Sequence, residues 1–497
     1  MKNYIKTISF LMLLSITSTL NAQTKNIFLG RTFWKTNPTI SQVKQKIAEG
    51  NSATELNENN FDALVYALLE KTNVKVVKHL LSKKGNDVNK LTHDGRTYIF
   101  WASYTNNIPV VKHLLESGAK TDVIDDKGFS VLNFTAAAGV ENRELYDLLI
   151  KHGADVKNDI TPKGANALLL IVPNLTNLKM VDYFTSKGLK LNSIDKDGNN
   201  VFNYTAEKGN KKMLEILIHK GLSYKSLNKN GGNAMIFATK GSRSGYNSLE
   251  FFKYLENLGI NPNITNNDGV TPLHNLAYSN KNVATINYFI NKGIDVNQAD
   301  GNGNTILINA VASNSLEIIK LFVDKTKNIN HVNKEGQSAL TKSIRNNSKI
   351  VKFLINKGAD VSVIDKKGNH LGYYLFNTYN VKNLKEFQTK LEILQANGLD
   401  VSKPQKNENT LYHLAVDKRN MSMLKFIKSY KININTKNSE GLTALQKAVM
   451  TAKNDEIIKY LIANGANKTI KTDFDESLYD LAKENEALKN VDISFLK

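Results

Sequence analysis

A glycine-centred turn returns along this chain at near-constant spacing: Gly95, Gly128, Gly164, Gly198, Gly231, Gly269, Gly303, Gly336, Gly368 and Gly441. Asn60, Glu408 and Asp475 hold the same register without the glycine. The intervals run from 32 to 40 residues and average about 34.6. A chain of 497 residues would ordinarily be parsed into several unrelated domains. A fixed period predicts something else: one supersecondary unit added after another, each burying its apolar face against its neighbour.

Every period carries the same parts. Asn267, Asp268, Gly269, Val270, Thr271, Pro272, Leu273 and His274 form the clearest copy. The glycine permits positive φ in a tight turn. Thr271 suits a helix N-cap and Pro272 the first helical position. Leu273 and Ala277, four apart, share a face of a short helix. A second helix follows, as in the run Val110, Val111, Lys112, His113, Leu114, Leu115, and stops at a glycine such as Gly118. The chain then runs extended to the next turn.

These residues resemble the ankyrin repeat family. Its D-G-x-T-P-L-H hallmark stands at 268–274, with a looser copy at 410–415. Its closing G-A-D-V stands at 153–156 and 358–361 and is softened at 293–297 and 398–401. Tetratricopeptide arrays share the period, but their W-x2-L-G-x2-Y pattern is absent. The resemblance covers residues 60–497. It implies an all-α ankyrin-repeat solenoid of stacked helix pairs with β-hairpin-like finger loops. About 12 repeats start near 60, 95, 128, 164, 198, 231, 269, 303, 336, 368, 408 and 441, so the array spans 60–474. Residues 23–59 read as a degenerate N-terminal cap, with a helix over 39–48 and Phe33 and Trp34 beneath it. Residues 475–497 read as a truncated C-terminal cap with a helix over 477–488. The two long intervals hold residues 241–246 and 377–388, and both extras are expected to lengthen the turn between paired helices.

The first 22 residues read as an address. Lys2 and Lys6 precede an apolar run over 7–20, and Ala22 offers a small residue for cleavage. This is the layout of a secretory signal peptide, and the run is shorter than the roughly 20 residues a membrane span needs. The expectation is an exported chain, periplasmic or secreted, of bacterial origin, cut after Ala22. With no cysteine, it holds no disulfide, thiol nucleophile or Cys-ligated metal.

Catalytic patterns fail one by one. There is no phosphate-cradling G-x-x-x-x-G-K-[ST] loop and no H-E-x-x-H pair. Asp300, Asn302 and Asn304 begin like a calcium loop, but Thr305 and Val311 stand where glycine and an acid are required. His79 and His113 recur in V-V-K-H-L-L, while His274 and His413 fall at the family's hydrogen-bonding position, so the histidines read as structural. Tyr66, Trp101, Phe134, Tyr204, Phe237 and Tyr374 repeat six residues after the register position and read as core packing. No catalytic residue, cofactor or metal is expected. The net charge of +20 comes mostly from lysine, with few arginines for specific phosphate or base recognition. The lysines, mixed with asparagine through every repeat, read as solvated surface. They leave a diffuse attraction to anionic surfaces that salt weakens.

In the family, partners sit in a concave groove of finger tips and first-helix surfaces. Carried over by position, that groove comprises His93, Arg96, Tyr104, Asp126, Lys127, Phe129, Lys163, Lys196, Glu207, Lys208, Asp268, Tyr278, Arg345, Lys366 and Lys367. Tyr104, Phe129 and Tyr278 are its expected anchors, because aromatic residues dominate binding hot spots. The expected function is a monomeric, non-enzymatic scaffold for a protein partner. The alternative is a secreted effector or toxin-neutralising protein acting on a foreign protein.

Overall fold

The computed structural model describes residues 26–242, 245–405 and 407–497. The expected signal segment, 1–22, lies outside them. The described residues form twenty-seven α-helices and no sheet, only isolated antiparallel bridges such as Ile124 to Ser130 and Val332 to Ser338. The fold is an all-α repeat of helix pairs. The chain divides into two compact units, the first ending at Lys196 and the second beginning at Asp197.

A typical pair in the first unit is Tyr98–Tyr104 followed by Ile108–Glu116. The first helix is buried almost all round, from Tyr98 to Ser103. The second is amphipathic, burying Val110, Val111, Leu114 and Leu115 and leaving Lys112 in solvent. Helices this short are marginal alone, so packing of those faces holds them. In the second unit, asparagine or serine caps most second helices: Asn210, Asn282 and Asn420 accept backbone N–H bonds of 3.1, 2.9 and 2.9 Å.

In most repeats one backbone bond stitches the finger to the one before it. In the second unit Lys229 N donates to Asp197 O at 2.9 Å, Lys334 N to Asn302 O at 2.9 Å, and Lys366 N to Glu335 O at 2.9 Å. The turn demands left-handed backbone, and all thirteen register positions have φ between 58° and 82°, Asn60, Glu408 and Asp475 included. At Gly336 a Cβ would lie 2.8 Å from the amide of Lys366, the donor of one of these stitches, so glycine meets a steric as well as a conformational need.

Asparagine, read from sequence as solvated surface, ties neighbouring repeats together. Asn314 Nδ2 donates to Ala277 O and Asn280 O at 2.9 and 3.0 Å, satisfying carbonyls at the preceding first helix's end. Asn346 does the same for Val311 and Asn314, and Asn485 for Val449 and Ala452. Asn485 also terminates the last long helix at Leu478–Glu484, short of the expected residue 488, and a 3-10 turn at Glu486–Leu488 follows.

One insertion behaves as expected. The segment between helices Ala234–Ala238 and Leu249–Asn257 is lengthened and carries a Ser242 to Gly245 bridge. The other does not simply lengthen a turn. Residues 384–388 enter a thirteen-residue second helix, Leu384–Ala396, preceded by a 3-10 turn at Val381–Asn383. Phe387, Leu391 and Leu394 are buried at helical spacing, which draws the extra residues into the helix. Lys390 takes the asparagine's place in this repeat, its ammonium donating to Ile344 O at 2.8 Å and Asn346 O at 3.1 Å.

Candidate partner-binding surface

In the first unit the finger and first-helix side chains converge on an aromatic ridge. Phe61, Trp101, Phe134 and Tyr104 follow one another with ring centroids 5.7, 6.1 and 5.8 Å apart. Arg96 lies over Phe134 at 4.2 Å and over Trp101 at 5.3 Å, and its Nε donates to the buried Asp125 carboxylate at 2.8 Å. Its side chain is only 11% exposed, so it serves first as a clamp between fingers. His93 stacks on Phe61 at 4.4 Å and bonds the Asn59 carbonyl. Tyr104 at the ridge's end is 47% exposed. Phe129 is half-buried, and its N–H joins that of Lys127 on the Asp125 carboxylate. Asp126, Lys127, Lys163 and Lys196 are exposed on the fingers.

In the second unit Glu207 faces Lys240 at 3.8 Å, and Lys208 is exposed at its helix's end. Asp268 accepts from Asn230 Nδ2 at 2.6 Å and lines a cleft of about 640 Å³ with Lys229, Phe237 and Lys240. Tyr278 is 60% exposed and lies outside the clefts around Asp268, Arg345 and Lys367. Arg345 and Lys367 meet in a cleft of about 400 Å³. Lys367 also borders a neighbouring cleft of about 560 Å³, and Tyr373 lines both. Lys366 is exposed on the other side of that finger, beside Ile364 and Pro404.

The remaining candidates are internal. Of the repeating aromatics, Trp101 and Phe237 are buried, while Tyr66, Phe134, Tyr204 and Tyr374 are half-buried. His274 Nδ1 accepts from the Thr271 N–H at 3.2 Å, and its Nε2 donates to the next finger at Gln298 O, 3.2 Å away. His413 repeats this with Thr410 and Leu442.

The family model described as "Ankyrin repeats (3 copies)" matches residues 37–125, 64–160, 168–266, 244–333, 273–365 and 381–472. The chain belongs to the ankyrin repeat family. Ankyrin repeats are in general a protein-binding rather than a catalytic fold. A putative ankyrin repeat protein of Acanthamoeba polyphaga mimivirus is 30% identical over 208 residues, covering 40% of this chain and 26% of that protein. Alpha-latroinsectotoxin-Lt1a of Latrodectus tredecimguttatus is 27% identical over 360 residues, 65% of this chain and 24% of the toxin. Phosphocholine transferase AnkX of Legionella pneumophila is 30% identical over 130 residues, 26% of this chain and 14% of the enzyme. The chain thus spans about a quarter of the length of the first two relatives.

One cleft-lining residue, Tyr373, escaped the sequence reading. It stands at the ankyrin histidine position, five residues after Gly368 as His274 is after Gly269. His370 has moved to the capping threonine's place and reaches the next finger itself through Lys403 O at 2.9 Å. The tyrosine borders the clefts instead. The displaced histidine was the available signal.

The internal histidines predict a pH response. Burial first of all holds His274 and His413 below the ordinary value of 6.5, so both stay neutral in the fold. The unfolded chain binds those protons more readily. Stability is therefore complete above about pH 6.5 and declines as pH falls below it toward the depressed folded values. Gln446 makes the equivalent bonds, to Thr443 N at 2.8 Å and Ile470 O at 3.1 Å, without titrating. Replacing both histidines with glutamine is expected to lessen the loss of urea resistance between pH 6.5 and 5, with His370, also held low by burial, keeping part of it. An undiminished slope would remove them as its source.

Proposed function

We propose that this ankyrin protein is a non-enzymatic, exported, monomeric scaffold that holds a protein partner against its fingers and first helices. The observation that carries this reading is the exposure of Tyr104 and Tyr278 at 47% and 60%, large aromatic rings left in solvent at first-helix ends. Such rings supply contact area at small entropic cost and recur as hot spots. Arg96, already committed to contacts inside the first unit, and the half-buried Phe129 contribute shape more than free binding energy. Arg345, Lys367 and Tyr373 extend the partner surface in the second unit.

The test is direct. A partner isolated by cross-linking to the full chain in its native extract is titrated against the Tyr104→Ala, Tyr278→Ala double variant. Affinity should fall by about tenfold or more, with thermal unfolding nearly unchanged. Full affinity in the double variant would end the assignment. Export is tested separately by fractionating cells that express the chain with and without residues 1–22.

A second reading is an effector acting on a foreign protein. Its support is the likeness to a latroinsectotoxin and to a Legionella enzyme, each confined to a fraction of those proteins. Accumulation of the chain in culture medium rather than in the envelope would favour it.

A further inference from the structure

Away from the fingers, the opening second helices of the first unit carry more lysines than nearby acids balance. Helices Ile40–Ala48, Val74–Leu81 and Ile108–Glu116 pack in succession. Lys44, Lys78 and Lys112 fall 34 residues apart, one on each, and all three are exposed. Lys75 sits three residues before Lys78, on the same helix face. Lys83 closes the middle helix's end. Of these, among the described residues, only Lys112 has an ion-pair partner, Glu144 at 2.7 Å. Lys46 is paired with Glu49 at 2.6 Å. That leaves Lys44, Lys75, Lys78 and Lys83 without an ion-pair partner among the described residues, and Glu116 is the one acidic residue within the three helices.

Two imidazoles lie between these lysines. Burial, then Lys83, then Lys44 hold His79 below its ordinary value. Burial and then Lys78 do so for His113, with Glu116 opposing. His79 Nε2 is enclosed without a hydrogen-bond partner. Lysines from neighbouring helices therefore converge on one face.

We infer that this face docks the protein peripherally on an anionic lipid bilayer. The face carries charge without an anchor. None of the three helices contains an aromatic residue, and their large aliphatic side chains are buried or half-buried. A protein partner wants a desolvated aromatic or aliphatic anchor, which is missing. Nucleic-acid recognition favours arginine forks and stacking platforms, and these helices have neither. A charged membrane asks only for several point charges near its plane within a Debye length of about 8 Å, which lysine on a flexible stem supplies.

The full chain is mixed with vesicles of phosphatidylcholine alone or with 30% phosphatidylglycerol, and the bound fraction is read by co-sedimentation. Neutral vesicles give the baseline for the apolar run at 7–20. Binding to anionic vesicles should exceed that baseline and fall toward it in 1 M salt. The variant K44Q/K75Q/K78Q/K83Q should lose about tenfold or more of the anionic excess. K253Q/K320Q/K352Q/K425Q, with the same net charge but altered on second helices of the other unit, should stay within about twofold. Replacing the four patch lysines with arginine should retain binding, which keeps the test valid should the glutamine variant unfold. Equal losses in the two glutamine variants, loss on arginine replacement, or no preference for anionic vesicles would overturn the inference. So would tighter, patch-dependent capture of a 20-base-pair DNA duplex or a polyglutamate peptide, which would hand the face to another occupant.

Discussion

Replacing Asp62 with alanine is expected to destabilise the first unit by about 3–5 kcal/mol, the cost of stranding a partner of a buried ion pair. Asp62 is wholly buried and its carboxylate is fully used. Oδ1 accepts from the Val65 N–H at 2.9 Å and so caps helix Ala63–Leu69. Oδ2 accepts from the Tyr98 hydroxyl at 2.7 Å and the Lys90 ammonium at 2.9 Å. Lys90 also donates to Thr54 O at 2.7 Å and Asn86 Oδ1 at 3.2 Å. Burial, reinforced by the Asp62 charge, drives the Tyr98 hydroxyl far above its ordinary range, so it remains a donor at any pH at which the fold exists. Alanine would leave an ammonium and a phenol facing a void and a helix uncapped. Tyr98→Phe removes one donor from the same network and should cost only about 1 kcal/mol. Amide exchange across residues 63–104 reads both variants locally, which matters in a chain of two units. An Asp62→Ala cost no larger than that of Tyr98→Phe would show that the carboxylate is not the hub.

How far such features could be seen in advance depended on whether they repeat. The turn register was readable even at Asn60, Glu408 and Asp475, because the period forced the same left-handed backbone on residues other than glycine. His274 and His413 were readable as structural for the same reason. What does not recur was opaque. Nothing in the amino-acid sequence distinguishes Tyr104, left in solvent, from Phe129, half-buried beside its own finger's Asp125 turn. Arg96 looked like a free cation at a tip, yet an aspartate 29 residues away claims it. The asparagines read as solvated surface because their acceptors, the helix-end carbonyls of the preceding repeat, lie more than 30 residues away in sequence. The lysine face was hidden differently. Composition averages over the chain, whereas stacking places Lys44, Lys78 and Lys112 on adjacent helices.

Phe289→Ala is the comparable test of packing in the second unit. Phe289 is fully buried in helix Val283–Asn291, its ring edge-on to Phe252 of the preceding repeat at 5.2 Å and to Tyr288 at 4.9 Å. Truncation is expected to cost about 3–5 kcal/mol, combining lost transfer energy with a cavity that short, mutually braced helices can only partly close. The way the loss spreads is as informative as its size. In a repeat stack each unit is stabilised by its neighbours, so weakening one interface should open the array there. Hydrogen exchange should quicken first in Leu249–Asn257 and Val283–Asn291, while Ala444–Thr451, several repeats further on, keeps its protection under mild denaturant. Phe289→Leu, which retains most of the apolar volume, should recover much of the stability. Uniform loss of protection from 249 to 463 would mean that the second unit unfolds as one cooperative body, and the nearest-neighbour account of its stability would fail.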